Sequence, residues 1–164
     1  MTMDERDRAV LSRFDAVWSR VQPQSAALPV ETQENKDERA LRSMIDQNAA
    51  AANVLRTLAC REPCHASRLR ALACARTVMM RQLQGAYYLL TGERHSPGAS
   101  CAVRHESAAC LRCLWQAGRS QAAQARRSAD ASDEPLLQTL YAEQAELLDD
   151  QCGMLWEILC ALLV

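Results

Sequence analysis

Apolar residues recur every three or four positions over most of this chain, which is the spacing of one face of an α-helix. Five prolines, at positions 23, 29, 63, 97 and 135, separate the periodic stretches. The pattern predicts helices over about 4–21, 37–60, 65–91, 101–129 and 135–162. Residues 22–35 are polar, include two of the prolines, and predict a linker. The sequence therefore predicts an all-α protein.

Residues at the ends of two predicted helices are typical of helix caps. Gly92 is expected to cap the helix over 65–91, because glycine adopts the left-handed conformation that ends many helices. Ser132 is predicted as an N-cap before Pro135. The connection after Gly92 looks too short to cross a bundle, and short connections make neighbouring helices antiparallel. We therefore expect an up-down four-helix bundle over 36–164, preceded by a short amphipathic helix within 1–21.

Composition and charge narrow the class of protein further. The 164 residues suit one domain with a real core, since 49% of them are hydrophobic. Nineteen basic residues against twenty acidic ones argue against a nucleic-acid-binding protein, which needs a basic surplus. No apolar run approaches the roughly 18 residues of a membrane span. The first residues are charged, unlike a signal peptide, so we expect a cytoplasmic protein.

Several polar residues occupy positions where the helical periodicity calls for an apolar side chain. They are Asn48, Arg76, Gln144 and Gln151, with Gln121 as a weaker case. All four long helices would then send a polar side chain towards the middle of the bundle. Burying a guanidinium is costly, so Arg76 would need partners or a path to water. The alternative is that the predicted stripes are one residue out of register and that these side chains are exposed.

Two segments resemble the ferritin-like, rubrerythrin-like bacterial proteins. MIDQNAAAANVLRTLA (44–59) is similar to the first bundle helix of that family, and RQLQGAYYLLTGER (81–94) is similar to the end of its second. The leading FDAVWSRVQP also resembles proteins of this type, and the likeness of the bundle spans about 40–163. The resemblance implies a ferritin-like bundle. In such proteins two helices each supply a glutamate and two supply a Glu-x-x-His pair to a di-iron site.

The positions that the resemblance assigns to the iron ligands carry neither carboxylate nor imidazole. They are Asn48, then Arg76 with Met79, then Gln121 or the nearby Gly118, and finally Leu148 with Gln151. Carboxylates are what hold iron in such sites, so we do not expect iron or any other cofactor there. Arg76 would fill the vacated space and bond to Asn48 and Gln151. The resemblance therefore implies a non-catalytic binding, scaffold or regulatory protein, and by analogy a homodimer.

The eight cysteines leave an alternative open, because soft sulfur ligands favour copper(I) or zinc. The candidate soft-metal ligands are Cys60, Cys64, His65, Cys110 and Cys113. An up-down bundle would put Cys101 and Cys110 at the end opposite the 60–64 turn, which disfavours one four-ligand site. Packing thiols and redox chemistry are the other interpretations of these cysteines.

Two further interpretations concern charged residues. The protein could still be a di-iron oxidoreductase if its iron ligands were other acidic residues, namely Asp46, Glu106, Glu143, Glu146 or Asp149. Arginines are dense on the helix over 65–91, at positions 68, 70, 76 and 81. Such a run usually marks a solvated face, and anion binding is the alternative.

Overall fold

The computed structural model describes residues 36–98 and 106–163 of the chain. These residues form four α-helices and no strand, which confirms the all-α class. The helices are α1 (Lys36–Arg61), α2 (Ala66–Thr91), α3 (Ser107–Ala131) and α4 (Pro135–Leu162), with a 3-10 turn (Pro63–His65) between α1 and α2. The predicted helix over 4–21 and the linker over 22–35 lie outside the described residues.

The ends of α2 and α3 test the predicted boundaries. Gly92 caps α2 as predicted: it has φ of 75°, and its N–H donates to the Tyr88 carbonyl at 2.8 Å. Helix α3 begins at Ser107 rather than near position 101, because Glu106 is extended, with φ of −56° and ψ of 148°. Ser132 lies two residues ahead of the N-cap position of α4, which is Glu134. The Ser132 hydroxyl instead accepts from the Glu134 N–H at 3.3 Å.

The direction of α3 differs from the up-down prediction. At one end of the bundle, Cys110 and Leu111 at the start of α3 pack with Leu69 at the start of α2. At the other end, Ala125 near the end of α3 packs with Tyr87 near the end of α2. Helices α2 and α3 are therefore parallel, and the order is up-down-down-up. The up-down prediction is wrong.

The reach of the chain between α2 and α3 explains this error. Fifteen residues separate Thr91 from Ser107, and an extended segment of that length spans about 50 Å. A helix of 26 residues is only about 39 Å long. The described part turns back along the first hairpin, since Gln84 donates to the His95 carbonyl at 3.0 Å and the His95 ring lies 2.9 Å from Asp46. The segment is therefore long enough to connect opposite ends.

The core has apolar ends and a polar middle. One cluster of buried leucines and alanines surrounds Leu55, Leu69 and Leu155, and a second surrounds Leu41 and Tyr141. Each cluster takes residues from all four helices. Between them lies a layer that contains all the buried amide and guanidinium side chains of the described helices, namely Asn48, Arg76, Gln144 and Gln151. A bundle stabilised by apolar packing alone would not contain such a polar layer.

Candidate functional site

Arg76 stands at the centre of the polar layer. Only 1% of the residue is exposed, and it is the largest fully buried side chain in the described part of the protein. Its Nη1 donates to Asn48 Oδ1 on α1 at 3.2 Å and to Gln121 Oε1 on α3 at 2.7 Å. The guanidinium thus connects three helices at mid-height. Its Nε is buried without a hydrogen-bond partner.

The charge of Arg76 is balanced by no acid that the structure places beside it. No carboxylate among the described residues forms an ion pair with the guanidinium. Burial lowers the pKa of Arg76 from its ordinary value to about 10, an effect that Cys152 opposes only in part. Burial also raises the pKa of the Cys152 thiol, more strongly than Arg76 lowers it. At neutral pH the site therefore holds a guanidinium cation beside a neutral thiol.

Gly118 on α3 makes room for both groups. A Cβ at this position would lie 2.7 Å from Cys152 Sγ and 3.4 Å from Arg76 Nη2. Real Cβ atoms do not approach sulfur that closely, so a larger residue would force Cys152 to move. Cys152 is itself held, because its thiol donates to the Trp115 carbonyl at 3.7 Å. The guanidinium, the thiol and the glycine therefore form one close-packed unit.

The glutamines of α4 complete the layer. Gln151 Nε2 donates to Met79 Sδ at 3.2 Å, and Gln144 Nε2 donates to Gln82 Oε1 at 3.1 Å. Both glutamines keep a buried Oε1 without a partner. The prediction that Arg76 bonds to Gln151 is wrong: Gln121 takes that place, because Gln151 is directed at the thioether instead. Met79 and Leu148 pack together with Ala122 in a small apolar cluster.

The donor set in this layer does not fit a di-iron centre. It offers amides, a guanidinium, a thioether and a thiol, whereas iron in such bundles is held by carboxylates and imidazoles. The one Glu-x-x-His spacing in the chain, Glu62 to His65, lies in the turn between α1 and α2. The five acids considered as alternative ligands are all outside the core; Asp149 is partly exposed, and the other four, Asp46, Glu106, Glu143 and Glu146, are exposed.

The cysteines are spread over the surface and the core. Cys60, Cys64 and Cys113 are exposed, whereas Cys110 is buried in the apolar cluster near the 60–64 turn. The prediction that Cys110 lies at the opposite end from that turn is therefore wrong, because α3 runs parallel to α2. Even so, no group of three or more metal-ligating side chains lies together within residues 36–98 and 106–163. Cys101 lies outside the described residues.

Sequence reasoning missed Cys152 and Gln82 as members of this layer, and it named Gly118 only as the alternative to Gln121 at the position of an iron ligand. A glycine inside a helical pattern indicates close packing, and Gly118 is such a glycine. Cys152 has no such signal, since a cysteine on an apolar stripe looks like an ordinary small core residue. Gln82 is largely exposed and reaches the layer only through its bond to Gln144.

The chain was compared with protein-family models, curated proteins and solved structures, and none of the three comparisons found a match. The resemblance to ferritin-like proteins therefore stays a prediction. None of the helices in the described part of the chain combines the length and the apolar character that crossing a bilayer requires.

Proposed function

We propose that this protein is a ferritin-like bundle that has exchanged its di-iron site for an arginine–amide layer, and that it acts by binding rather than by redox catalysis. The observation that carries the proposal is the placement of Arg76. Its cation lies mid-bundle, bonded to Asn48 and Gln121, at positions that the family resemblance assigns to iron ligands. A resident cation at this place opposes the entry of a metal cation.

The order of the helices supports the same proposal. Ferritin-like folds have four helices with a single long connection across the bundle. Here the long segment joins the end of α2 to the start of α3, and the other connections are tight turns. The positions aligned with iron ligands come from all four helices and meet at one height. A bundle that kept the packing but lost the ligands would have this arrangement.

Metal loading tests the proposal. Purified protein would be incubated anaerobically with iron(II), copper(I) or zinc in separate samples, desalted and measured for metal content. We expect substoichiometric iron, because the layer has no carboxylate. A stable pair of iron ions per chain would contradict the proposal. Copper or zinc retained by the wild type but lost in a Cys110→Ser/Cys113→Ser variant would contradict it in favour of the soft-metal alternative.

We also propose that the protein forms a homodimer through an apolar groove between α2 and α4. The groove measures about 630 Å³, and its walls include Leu89, Leu90, Leu136, Leu137 and Leu140. Leu89 is 85% exposed and Leu136 is 78% exposed. Large apolar side chains this exposed on adjacent helices are typical of an interaction surface.

Charge favours a second copy of the chain as the occupant. Arg81 and Glu134 both line the groove, and neither forms an ion pair within the described residues. They lie at opposite ends of it, because α2 and α4 are antiparallel: the start of α2 packs with the end of α4, and Tyr87 near the end of α2 packs with Leu137 near the start of α4. A two-fold axis through the groove brings Arg81 of each copy to Glu134 of the other.

Sedimentation velocity tests this surface. We expect the wild type to be a dimer and the Leu136→Glu variant to be a monomer, because the second copy would bury the new charge in the groove. Leu163→Glu is the matched control, since Leu163 is also largely exposed, at 64%, but directly follows the other end of α4. A monomeric wild type, or a dimer that survives Leu136→Glu, would contradict the groove as the interface.

A further inference from the structure

A second groove, on the outer face of the α1–α2 hairpin, combines thiols with arginines. It measures about 490 Å³, and Arg56, Cys60, Arg70, Cys74, Thr77 and Arg81 are among its lining residues. On α2, positions 70, 74, 77 and 81 share one face because they follow the helical repeat. Cys60 and Cys74 are both exposed. We call this surface the arginine–thiol groove.

The groove is cationic without an acid to balance it. No carboxylate is among its lining residues. Among the described residues, Arg56 bonds to neutral groups alone, donating to Asn53 Oδ1 at 2.9 Å and to Thr77 Oγ1 at 2.8 Å. Arg70 forms no ion pair with any described residue. In a protein with a net charge of −1, this is a local concentration of positive charge.

Each thiol in the groove follows an arginine by one helical turn. Arg56 precedes Cys60 by four residues, and Arg70 precedes Cys74 by four, so each pair lies on the same face of its helix. The other exposed helical cysteines lack this arrangement, because Ala109 precedes Cys113 and Trp156 precedes Cys160 at the same spacing. Among the exposed cysteines on the described α-helices, an arginine four residues before the thiol is therefore found only in the groove.

We propose that the arginine–thiol groove binds small anionic disulfides of the glutathione type and is modified by them. The arginines hold the carboxylates of the disulfide, as guanidinium groups do by paired hydrogen bonds. The thiolate of Cys60 or Cys74 attacks one sulfur of the bound disulfide, and a mixed disulfide forms. The other half leaves as a thiolate and takes up the proton that the cysteine released.

Paired thiol reagents of opposite charge test the recognition step. Full-length protein would react with sulfonatoethyl or with trimethylammonioethyl methanethiosulfonate, and peptide mass mapping would give the initial rate at each cysteine. Each rate would first be divided by the rate of the same reagent with a small free thiol, because the two reagents differ in intrinsic reactivity towards a thiolate. On that scale we expect the anionic reagent to modify Cys60 and Cys74 about tenfold faster than the cationic one, with the preference reduced at high salt. At Cys113 and Cys160 we expect rates within about twofold of each other.

Variants and the natural class of ligand complete the test. Arg56→Gln/Arg70→Gln should abolish the anionic preference at both groove cysteines, whereas Arg112→Gln, on the exposed face of α3, should leave it intact. Glutathione disulfide should then form a mixed disulfide at Cys60 or Cys74 of the wild type, and more slowly in the double variant. Equal rates for both reagents at the groove, an unchanged preference in the double variant, or no mixed disulfide at the groove would each overturn the proposal.

Discussion

Gly118 is the residue on which the packing of the polar layer depends most. Its missing side chain leaves room for Cys152 Sγ and the Arg76 guanidinium, which approach from α4 and α2. A small residue at a helix crossing often serves this purpose, because it lets larger groups from the neighbours fill the space. Adding one methyl group at this position, as in Gly118→Ala, tests whether the packing needs a glycine here.

We expect Gly118→Ala to lower the free energy of unfolding by about 1–3 kcal/mol, because the new Cβ overlaps Cys152 Sγ. Gly153→Ala is the control. No atom lies within 4 Å of its Cβ, so the better helix propensity of alanine should stabilise the protein by about 0.5–1 kcal/mol. Urea denaturation measures both. In Gly118→Ala/Cys152→Ala the loss should be partly recovered, and an additive double variant would refute the contact.

Arg76 carries a second prediction at the same scale. Its volume fills the layer, but its unbalanced charge is costly to bury. Arg76→Met keeps most of the volume and removes the charge, so we expect its free energy of unfolding to lie within about 1 kcal/mol of the wild type, or above it. Arg76→Ala leaves a cavity and should lose about 2–5 kcal/mol. If chemical denaturation showed that both variants lose the same free energy of unfolding, the hydrogen bonds of Arg76 rather than its volume would be what stabilises the layer.

At the scale of elements, the starts of α1 and α4 are joined by one hydrogen-bond network. Tyr141 is fully buried, and its hydroxyl donates to Asp37 Oδ1 at 3.2 Å and to the Asp37 carbonyl at 3.3 Å. Ser132, before α4, donates to Asp37 Oδ2 at 2.9 Å. Burial raises the pKa of Tyr141 well above 10, and the negative charge of Asp37 raises it further. At a pH at which the phenol ionises in the unfolded chain, it therefore stays protonated in the folded protein.

This network predicts a specific dependence on alkaline pH. A group whose pKa is raised by folding contributes stability that is complete below its unfolded pKa and declines as the pH rises above it. Tyr141→Phe should cost about 1 kcal/mol at pH 7. The difference in unfolding free energy between wild type and variant should then shrink as the pH passes about 10. Urea titrations from neutral pH to about pH 11 measure it, and a constant difference would show that Tyr141 does not resist ionisation.

The helices were predictable from sequence and their directions were not. Periodicity and Gly92 located α2 to within a residue or two, and Pro135 located the start of α4. The weak part was α3, whose buried face after Gly118 consists of Ala122 and Ala125 and so carries little hydrophobic contrast. Loop length bounds how far a segment can reach, but it does not decide whether the segment crosses. The parallel pair α2 and α3 depends on tertiary packing that no local pattern encodes.

At the scale of the whole molecule, the bundle formed by residues 36–98 and 106–163 has one buried charge, in a core that is otherwise apolar or neutral. The sequence predicted polar residues at 48, 76, 144 and 151 because each interrupts an apolar stripe, and the structure buries all four. The bond between Arg76 and Asn48 was predicted and is present, but the second partner of Arg76 could not be predicted, since long side chains reach partners on any of three helices. Gln121 rather than Gln151 bonds to Arg76 because α3 approaches the guanidinium closely at Gly118.

The most direct test of the account is NMR of the arginine side chains in isotope-labelled protein at neutral pH. The Arg76 signal would be assigned by its loss in Arg76→Met. We predict that its guanidinium protons exchange slowly with water and that rotation about its C–N bonds is restricted, because the group is buried and bonded to Asn48 and Gln121. Exchange as fast as that of the exposed Arg70 would place the guanidinium in solvent and contradict the arginine–amide layer.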